Sequence, residues 1–280
     1  MGYAYLGDSL RLCKRIPDES IALIMTSPPF ALIEKKKYGN VSAEKYVEWF
    51  SPFATEFSRI LKKNGSLVVH VGGSWNRGVP TRTLYNFRLL LSLANSFHLA
   101  QEFYWYNPAK LPGPAEWVNI RRMRVKDAVD PIWWFSKSTR PKASNRRILK
   151  PYSVSMEHLL ANGYKPGLRP SGHNISRKFK KRHTGAIPPN ILILPNTDSN
   201  SAYFVRCRKA HLVPHPARYP EGIPDLFIRF LTTKGDLVLD PFGGSNTTGA
   251  VAEKLGRRWL CFEIVPDYLR GSRFRFDATF

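Results

Sequence analysis

The chain has 280 residues, of which 43% are hydrophobic, enough for one large domain or for a core with one insertion. Its 43 Lys and Arg against 21 Asp and Glu give a net charge of +22, which favours an anionic partner such as nucleic acid. The alternative, a Lys-rich thermophile surface, would be rich in Glu as well. Three widely spaced cysteines form no disulfide framework, and neither a signal peptide nor a membrane-spanning run is evident. We therefore expect a cytoplasmic protein without a membrane partner.

Short apolar runs alternate with helical patterns along the chain, which predicts an α/β fold with a mostly parallel sheet. The predicted strands are residues 3–6, 21–25, 66–71, 102–106, 131–136, 235–240 and 258–263. Helices are predicted at residues 43–61 and 246–255 and from residue 266. The aromatic stripe of the first helix has the spacing of a buried face, so we assign it to the core.

Between residues 141 and 213 this periodicity is lost. The stretch holds fourteen Lys and Arg against two acidic residues, so more than half of the net charge lies in about a quarter of the chain. We interpret 141–213 as an inserted, irregular DNA-binding module between catalytic segments 1–140 and 214–280. Its basic run is expected to contact DNA phosphates. The candidate residues are Arg177, Lys178, Lys180, Lys181 and Arg182.

The stretch "DLVLDPFGGSNTTGAVAEKLGRRWLCFEI" has the pattern strand, glycine turn, helix, strand, acid. A Gly pair lets the backbone approach a ligand, and a helix start attracts an anion. Glu263, at the end of the next strand, can bind two ribose hydroxyls. The spacing matches neither the dinucleotide nor the P-loop motif, whereas a nucleoside with a small carboxylate, such as S-adenosylmethionine, fits it. An ordinary strand-to-helix turn is the alternative.

The predicted strand 21–25 runs through Thr26 into Ser27-Pro28-Pro29-Phe30, called the tip below. Proline fixes φ and donates no hydrogen bond, so we expect a rigid tip with outward, unpaired carbonyls. The carbonyls and the Ser27 hydroxyl would hold the exocyclic amine of a base, and the Phe30 ring would offer a stacking surface. A base in duplex DNA must leave the stack to reach it. An ordinary Pro-rich turn is the alternative.

Strand topology can join the tip to the glycine turn. Ligands bind in open α/β sheets where the strand order reverses. If the chain is circularly permuted, the strands ending at Met25 and Asp240 are neighbours there. The C-terminal strand would then lie beside the N-terminal one, whose end places Asp8 near the adenine of the nucleoside.

In this order, "GDSL", "TSPPF", "HPARYP" and "DPFGGSNTTG" resemble the β-group DNA amino-methyltransferases, especially the cytosine-N4 type, and the likeness covers nearly the whole chain. The resemblance implies a circularly permuted, Rossmann-like, S-adenosylmethionine-dependent fold whose mixed, mostly parallel sheet carries an inserted target-recognition region. It also implies that Ser27, Pro28 and Phe30 hold and stack the base while Pro29 stiffens the tip. The implied cofactor-binding residues are Asp8, Thr26, Asp240, Phe242, Gly243, Gly244, Ser245, Asn246, Thr247 and Glu263. The family's Phe-x-Gly-x-Gly is here Phe-Gly-Gly-Ser-Asn, which affects the carboxylate contacts, and a helix covering the cofactor is expected from His215.

Three hypotheses follow. The first is methylation of cytosine N4 in flipped-out bases of double-stranded DNA, as part of a restriction–modification system. In that case a cognate endonuclease can exist, but it is not expected to bind this protein. The second is adenine-N6 methylation, and the third is an inactive basic DNA-binding protein. Cytosine-C5 chemistry is disfavoured because no Pro-Cys pair exists. No metal is expected, since Cys207, His211 and His215 lack a fourth ligand and prolines interrupt their spacing.

Overall fold

A computed structural model of the protein describes residues 1–34, 36–163, 167–175 and 181–276. The chain divides into two compact units. The large unit consists of Met1–Ala143 with Asn190–Phe280, and the small unit is Ser144–Pro189.

The described residues contain ten strands and eight α-helices. The strands are β1 (Gly2–Leu6), β2 (Ile21–Thr26), β3 (Leu61–His70), β4 (His98–Tyr106), β5 (Val129–Ser136), β6 (Gly167–Leu168), β7 (Asn174–Ile175), β8 (Ile191–Ile193), β9 (Leu237–Asp240) and β10 (Arg258–Glu263). The helices are α1 (Ser9–Cys13), α2 (Tyr46–Ile60), α3 (Tyr85–Leu93), α4 (Val154–Asn162), α5 (Ala202–Lys209), α6 (Gly222–Leu231), α7 (Thr247–Lys254) and α8 (Pro266–Ser272). All seven predicted strands are confirmed, and so are the helices predicted at residues 43–61, at 246–255 and from residue 266.

The large unit is built on an eight-stranded sheet with the order β1-β10-β9-β2-β3-β5-β4-β8. Only β5 runs antiparallel to its neighbours, so the sheet is mixed and mostly parallel, as predicted. The central strand β2 is buried along its whole length, which explains its continuous apolar run. Helix α2 packs its predicted aromatic stripe, including the fully buried Tyr46, Phe50 and Phe57, into the core.

The circular permutation is visible in two strand pairs. The N-terminal strand β1 pairs with β10, with Leu6 opposite Glu263, and β2 pairs with β9, with Ile24 opposite Leu239. From β9 the chain continues through α7 to β10 on one side, whereas from β2 it continues through α2 to β3 on the other. The strand order therefore reverses between β9 and β2, at the place predicted from the sequence, and the carboxyl ends of these strands face one crevice.

The small unit is shorter than the predicted insertion 141–213. Residues from Asn190 onward belong to the large unit because β8 pairs with β4 and because α5 buries Tyr203 and Cys207. The small unit holds α4 and the hairpin β6–β7, and an isolated bridge joins Lys150 to Ala186. The helix expected from His215 begins at Gly222 instead, since prolines at 216 and 220 disfavour helical geometry before them.

Three of the predicted phosphate-binding residues, Arg177, Lys178 and Lys180, lie outside the described residues. Lys181 and Arg182 are described and exposed, and Arg182 pairs with Glu157 of the same unit at 2.9 Å. In the part of the chain that the structure covers, no helix combines the length and apolar character needed to cross a membrane.

Candidate active site

A cavity of about 640 Å³ opens at the carboxyl ends of the central strands. The tip lines one part of it, and Phe242, Gly243, Gly244 and Ser245 line another, together with Glu263. Two motifs more than two hundred residues apart in sequence thus share one cavity. A volume of this size is typical of a site for a small-molecule ligand.

The two strands that meet at this crevice are joined by a side-chain hydrogen bond. The Thr26 hydroxyl at the end of β2 donates to Oδ1 of Asp240 at the end of β9, at 3.0 Å. Asp240 also accepts hydrogen bonds from the Phe242 backbone N–H at 3.2 Å and from the Tyr219 and Thr248 hydroxyls at 3.2 and 2.6 Å. Burial raises the pKa of Asp240, and these four donors act in the opposite direction. Asp240 therefore fixes the floor of the crevice.

The glycine turn is positioned by Glu263 at the end of β10. Its carboxylate accepts a hydrogen bond from the Gly244 N–H on Oε2 and one from the Val265 N–H on Oε1, each at 2.8 Å. Burial raises the pKa of Glu263, and the hydrogen bonds to the backbone lower it. Each carboxylate oxygen can accept a further hydrogen bond. Glu263 can therefore bind two hydroxyl groups of a ligand without releasing the turn.

Both glycines of the turn are required by their surroundings. A Cβ on Gly243 would lie 2.0 Å from the Cys261 sulfur, which is impossible without displacement. Gly244 has φ +54°, and a Cβ there would lie 3.1 Å from the His215 ring. The turn therefore follows the cavity wall with its backbone.

Three predicted cofactor residues act differently from the others. Asn246 is buried in the left-handed conformation and accepts a hydrogen bond from the Gly249 N–H, which makes it the N-cap of α7 rather than part of the cavity wall. Thr26 also lies behind the wall, where it binds Asp240. Asp8 lines the cavity, is exposed, and caps α1 by accepting a hydrogen bond from the Arg11 N–H. The remaining candidates, including Thr247, lie on the wall.

All four residues of the tip line the cavity, but the prediction of unpaired carbonyls is wrong for Pro29 and Phe30. The Pro29 carbonyl accepts a hydrogen bond from the buried Tyr46 hydroxyl at 2.7 Å, and the Phe30 carbonyl accepts one from the Leu32 N–H. Tyr46 thereby anchors the tip to α2.

His70, at the end of β3, is a site residue that sequence analysis missed. Its Nδ1 lies 3.0 Å from the Ser27 hydroxyl oxygen, and its ring contacts the rings of Phe30, Trp105 and Tyr219 at 5.5, 5.5 and 6.1 Å. Burial lowers the pKa of His70 to about 4, so the imidazole is neutral at pH 7. The only signal in the sequence is a histidine that ends the apolar run "SLVVH". A histidine in such a place more often belongs to the core than to a site.

The cofactor side of the cavity is covered by rings. His215 stacks on Tyr38 with a centroid distance of 5.4 Å and meets Tyr268 edge-on at 4.7 Å. Phe242 packs against Phe53 of α2 at 5.1 Å. Except for Tyr268, which supports His215 from behind, these rings line the cavity together with Glu263.

Comparison with known proteins agrees with this arrangement. The sequence model of one family, described as DNA methylase, matches residues 21–273. The chain belongs to this DNA methylase family. It is 51% identical over 280 residues to the type II methyltransferase M.PvuII of Proteus hauseri. The alignment covers 98% of this chain and 83% of that protein.

Solved structures of DNA methylases show the same fold. The PvuII DNA methyltransferase, described as cytosine-N4-specific, matches with a TM-score of 0.81 and 45% identity, over 99% of this chain and 87% of the other. A DNA modification methylase of Thermus thermophilus, solved with S-adenosyl-L-methionine, matches with a TM-score of 0.61 and 19% identity, over 99% and 93%. The expectation of a methyltransferase fold with a circularly permuted α/β sheet is confirmed.

The residues of this DNA methylase fit S-adenosylmethionine. A buried carboxylate with two free acceptor positions suits a ribose, and the apolar walls suit an adenine ring. A Cβ on Gly244 would crowd the His215 ring, which also lines the cavity, so the turn presents only backbone to a ligand at this position. Within the described ranges, no group of three or more His, Cys, Asp or Glu is arranged to hold a metal ion.

Proposed function

We propose that the protein transfers a methyl group from S-adenosylmethionine to the N4 amine of cytosine in double-stranded DNA. The observation that carries this proposal is the cavity that the tip and the glycine turn share. Methyl transfer needs donor and acceptor side by side, and the Thr26–Asp240 hydrogen bond holds the two strands that carry them. The relative described as cytosine-N4-specific favours cytosine over adenine.

On the acceptor side, Ser27 and the tip act on the flipped-out base. The Ser27 oxygen accepts a hydrogen from the exocyclic amine, which favours the tetrahedral nitrogen whose lone pair attacks the methyl group. Phe30 offers a flat face for stacking, and Pro28 with Pro29 keeps the tip rigid. The hydrogen bond from the Tyr46 hydroxyl to the Pro29 carbonyl holds the tip against α2 in the same geometry.

On the donor side, this chain's residues bind and orient the cofactor. Glu263 accepts hydrogen bonds from the ribose hydroxyls, Asp8 from the adenine amine, and Phe242 packs against the ring. Gly243, Gly244, Ser245 and Thr247 form the wall near the carboxylate of the methionine part. Asp240, Thr26 and Asn246 hold this wall in place through the hydrogen bonds described above. When bound, the cofactor supplies an electrophilic methyl group on a positively charged sulfur.

The basic small unit is proposed as the target-recognition region. It carries ten Lys and Arg and one Glu among residues 144–189, a charge that suits the phosphates of duplex DNA. The similarity of the whole chain to a type II methyltransferase supports a role as a modification enzyme. Such an enzyme would act on DNA in the bacterial cytoplasm, and a cognate endonuclease would be a separate protein.

Nucleoside mass spectrometry tests this proposal. Unmethylated bacterial DNA is incubated with the protein and S-adenosylmethionine, digested to nucleosides and analysed. N4-methylcytosine is the expected product. N6-methyladenine would identify the enzyme as an adenine methylase, and the absence of any methylated nucleoside, with DNA binding retained, would identify an inactive DNA-binding protein.

A further inference from the structure

The buried imidazole of His70 has no role in the function proposed so far. The residue is 5% exposed and lies on the wall of the cavity. Nδ1 faces the Ser27 oxygen at 3.0 Å, whereas Nε2 is buried and has no hydrogen-bond partner among the described residues. A buried polar atom without a partner is costly, and in native structures it often marks a functional group.

The charges around His70 come from β5 and from the segment after β4. The Asp130 carboxylate raises the pKa of His70, and Lys110, which binds Asp130 at 3.1 Å, lowers it. The other groups against the ring are the Ser27 hydroxyl and three aromatic rings, of which only Tyr219 is titratable, and burial raises the pKa of Tyr219 far above neutrality. Ser27, His70 and Asp130 all line the cavity. A hydroxyl just after β2, an imidazole at the end of β3 and a carboxylate on β5 thus face the same cavity.

We propose that His70 is a positioning residue that keeps the Ser27 hydroxyl turned toward itself and takes up the proton released by the methylated amine. This inference rests on the proposed methyl transfer. A free hydroxyl can donate or accept, but the target amine is itself a donor. If the Ser27 O–H donates to the neutral Nδ1, both lone pairs of the serine oxygen are available to accept from the amine.

The proton balance of the reaction supports this role. The amine nitrogen uses its lone pair to form the bond to the methyl group, while the methyl–sulfur bond breaks and its electron pair stays on sulfur. The nitrogen then carries a positive charge and must lose one of its two protons. That proton passes to the Ser27 oxygen as the serine proton passes to Nδ1, and the imidazolium later returns its proton to water.

The environment of His70 suits this transfer in spite of its lowered pKa. A methylated exocyclic amine with a full positive charge is a strong acid, because its nitrogen can no longer delocalise electrons into the ring. A weak base is therefore sufficient, and it is neutral before each turnover. The Asp130 carboxylate stabilises the imidazolium that forms, since an opposite charge nearby favours the charged form.

Single-turnover methylation of unmethylated plasmid DNA, with enzyme in excess, tests the pair. His70→Phe and Ser27→Ala should each slow methyl transfer about 100-fold or more, within the range of general acid–base effects. The double variant should be no slower than the slower single variant, because the two residues act as one unit. His70→Asn can accept from Ser27 without taking up a proton, so its rate should lie between those of His70→Phe and wild type. The exposed His98→Phe serves as the matched control and should match wild type.

A second measurement does not depend on turnover. In protein with ¹⁵N-labelled histidine, free of cofactor and DNA, His70 should show an unprotonated Nδ1 that accepts a hydrogen bond, and Ser27→Ala should change its shift. A protonated Nδ1, or a His70→Phe enzyme that folds and transfers methyl groups within twofold of the wild-type rate, would overturn the inference while leaving the proposed function intact. A wild-type protein that methylates no DNA would overturn both, and the nitrogen shifts would then still report whether Ser27 and His70 are bonded.

Discussion

The hydroxyl of Thr26 and the carboxylate of Asp240 are hydrogen-bonded at 3.0 Å although 214 residues separate them in sequence. The bond lies where the strand order reverses, between the half of the sheet that carries the tip and the half that carries the glycine turn. Asp240 accepts from three further donors, so each lost donor leaves a buried carboxylate less well solvated. The geometry of the active site is thus tied to the stability of the sheet.

Thr26→Val should test this connection. The variant keeps the shape of the side chain but removes one hydrogen bond to a buried carboxylate, so we expect a loss of about 2 kcal/mol in the free energy of unfolding. Chemical denaturation monitored by fluorescence measures it. Thr55→Val, on the exposed side of α2, is the control and should change stability far less. Equal stability of the two variants would show that the Thr26–Asp240 bond contributes little.

Ser27→Ala should impair catalysis without preventing cofactor binding. Because the hydroxyl is proposed to act on the base, we expect a loss of about 100-fold or more in methyl transfer, while calorimetry should find S-adenosylmethionine binding within about threefold of wild type. Ser51→Ala on α2 provides an exposed control. If methyl transfer and S-adenosylmethionine affinity fall by similar factors, Ser27 acts on the cofactor rather than on the base.

Gly244→Ala should weaken cofactor binding more than its backbone strain alone explains. Gly244 and Gly235 both have positive φ, +54° and +84°, so Ala is strained at either position. In the part of the chain that the structure describes, a Cβ on Gly235 meets nothing within 4 Å, whereas one on Gly244 crowds His215 beside the cavity. We therefore expect tenfold or greater weakening of S-adenosylmethionine binding only for Gly244→Ala. Similar affinities of the two variants would argue against the turn as part of the cofactor site.

Stability should fall in mild acid because of two buried histidines, His70 and His215, and the contribution of His70 can be separated by mutation. The unfolded imidazole binds a proton near pH 6.5, but burial lowers the pKa of the folded group to about 4. Between these values protonation favours the unfolded chain, so stability is lost as the pH falls from 6.5 toward 4. From pH 7 to pH 5, protonation of His70 should lower the free energy of unfolding by about 2 kcal/mol. His70→Phe should reduce this dependence in denaturation curves, and an unchanged slope would mean that His70 does not titrate between these pH values.

DNA binding should weaken steeply as salt is added, because phosphate contacts release counterions. Each of Lys181→Ala and Arg182→Ala should reduce the slope of log affinity against log salt by about 0.9 if it removes one phosphate contact. Lys14→Ala, at the exposed end of α1, is the control. A salt-independent affinity would contradict the proposed role of the basic unit.

The strands and the meeting of the two motifs could be predicted because both follow from strong local signals. Buried parallel strands are continuous apolar runs, and the rule that ligands bind where strand order reverses brings Asp240 next to β2. The three-residue strand β8 could not be predicted, because it lies among prolines and polar residues and is defined by its pairing with β4. Without this strand, the predicted insertion runs to residue 213, whereas the small compact unit ends at Pro189.

The side-chain contacts of the site were less predictable. His70 ends a strand as many core histidines do, and only its distance of 3.0 Å to Ser27 distinguishes it. The hydrogen bond from Tyr46 to Pro29 depends on how α2 packs against the tip, which periodicity does not determine. In both cases the missing information was a contact between elements whose separate identities were clear.

The permuted order of the strands also has a consequence for biosynthesis. Ribosomes deliver the tip early, but its partner strand β9 and the turn that follows it emerge only after Leu237. Until then one edge of β2 remains unpaired, and the nascent polypeptide cannot form the cavity. Because Glu263 is also part of the cavity wall, a nascent chain lacks the complete site until translation has passed this residue.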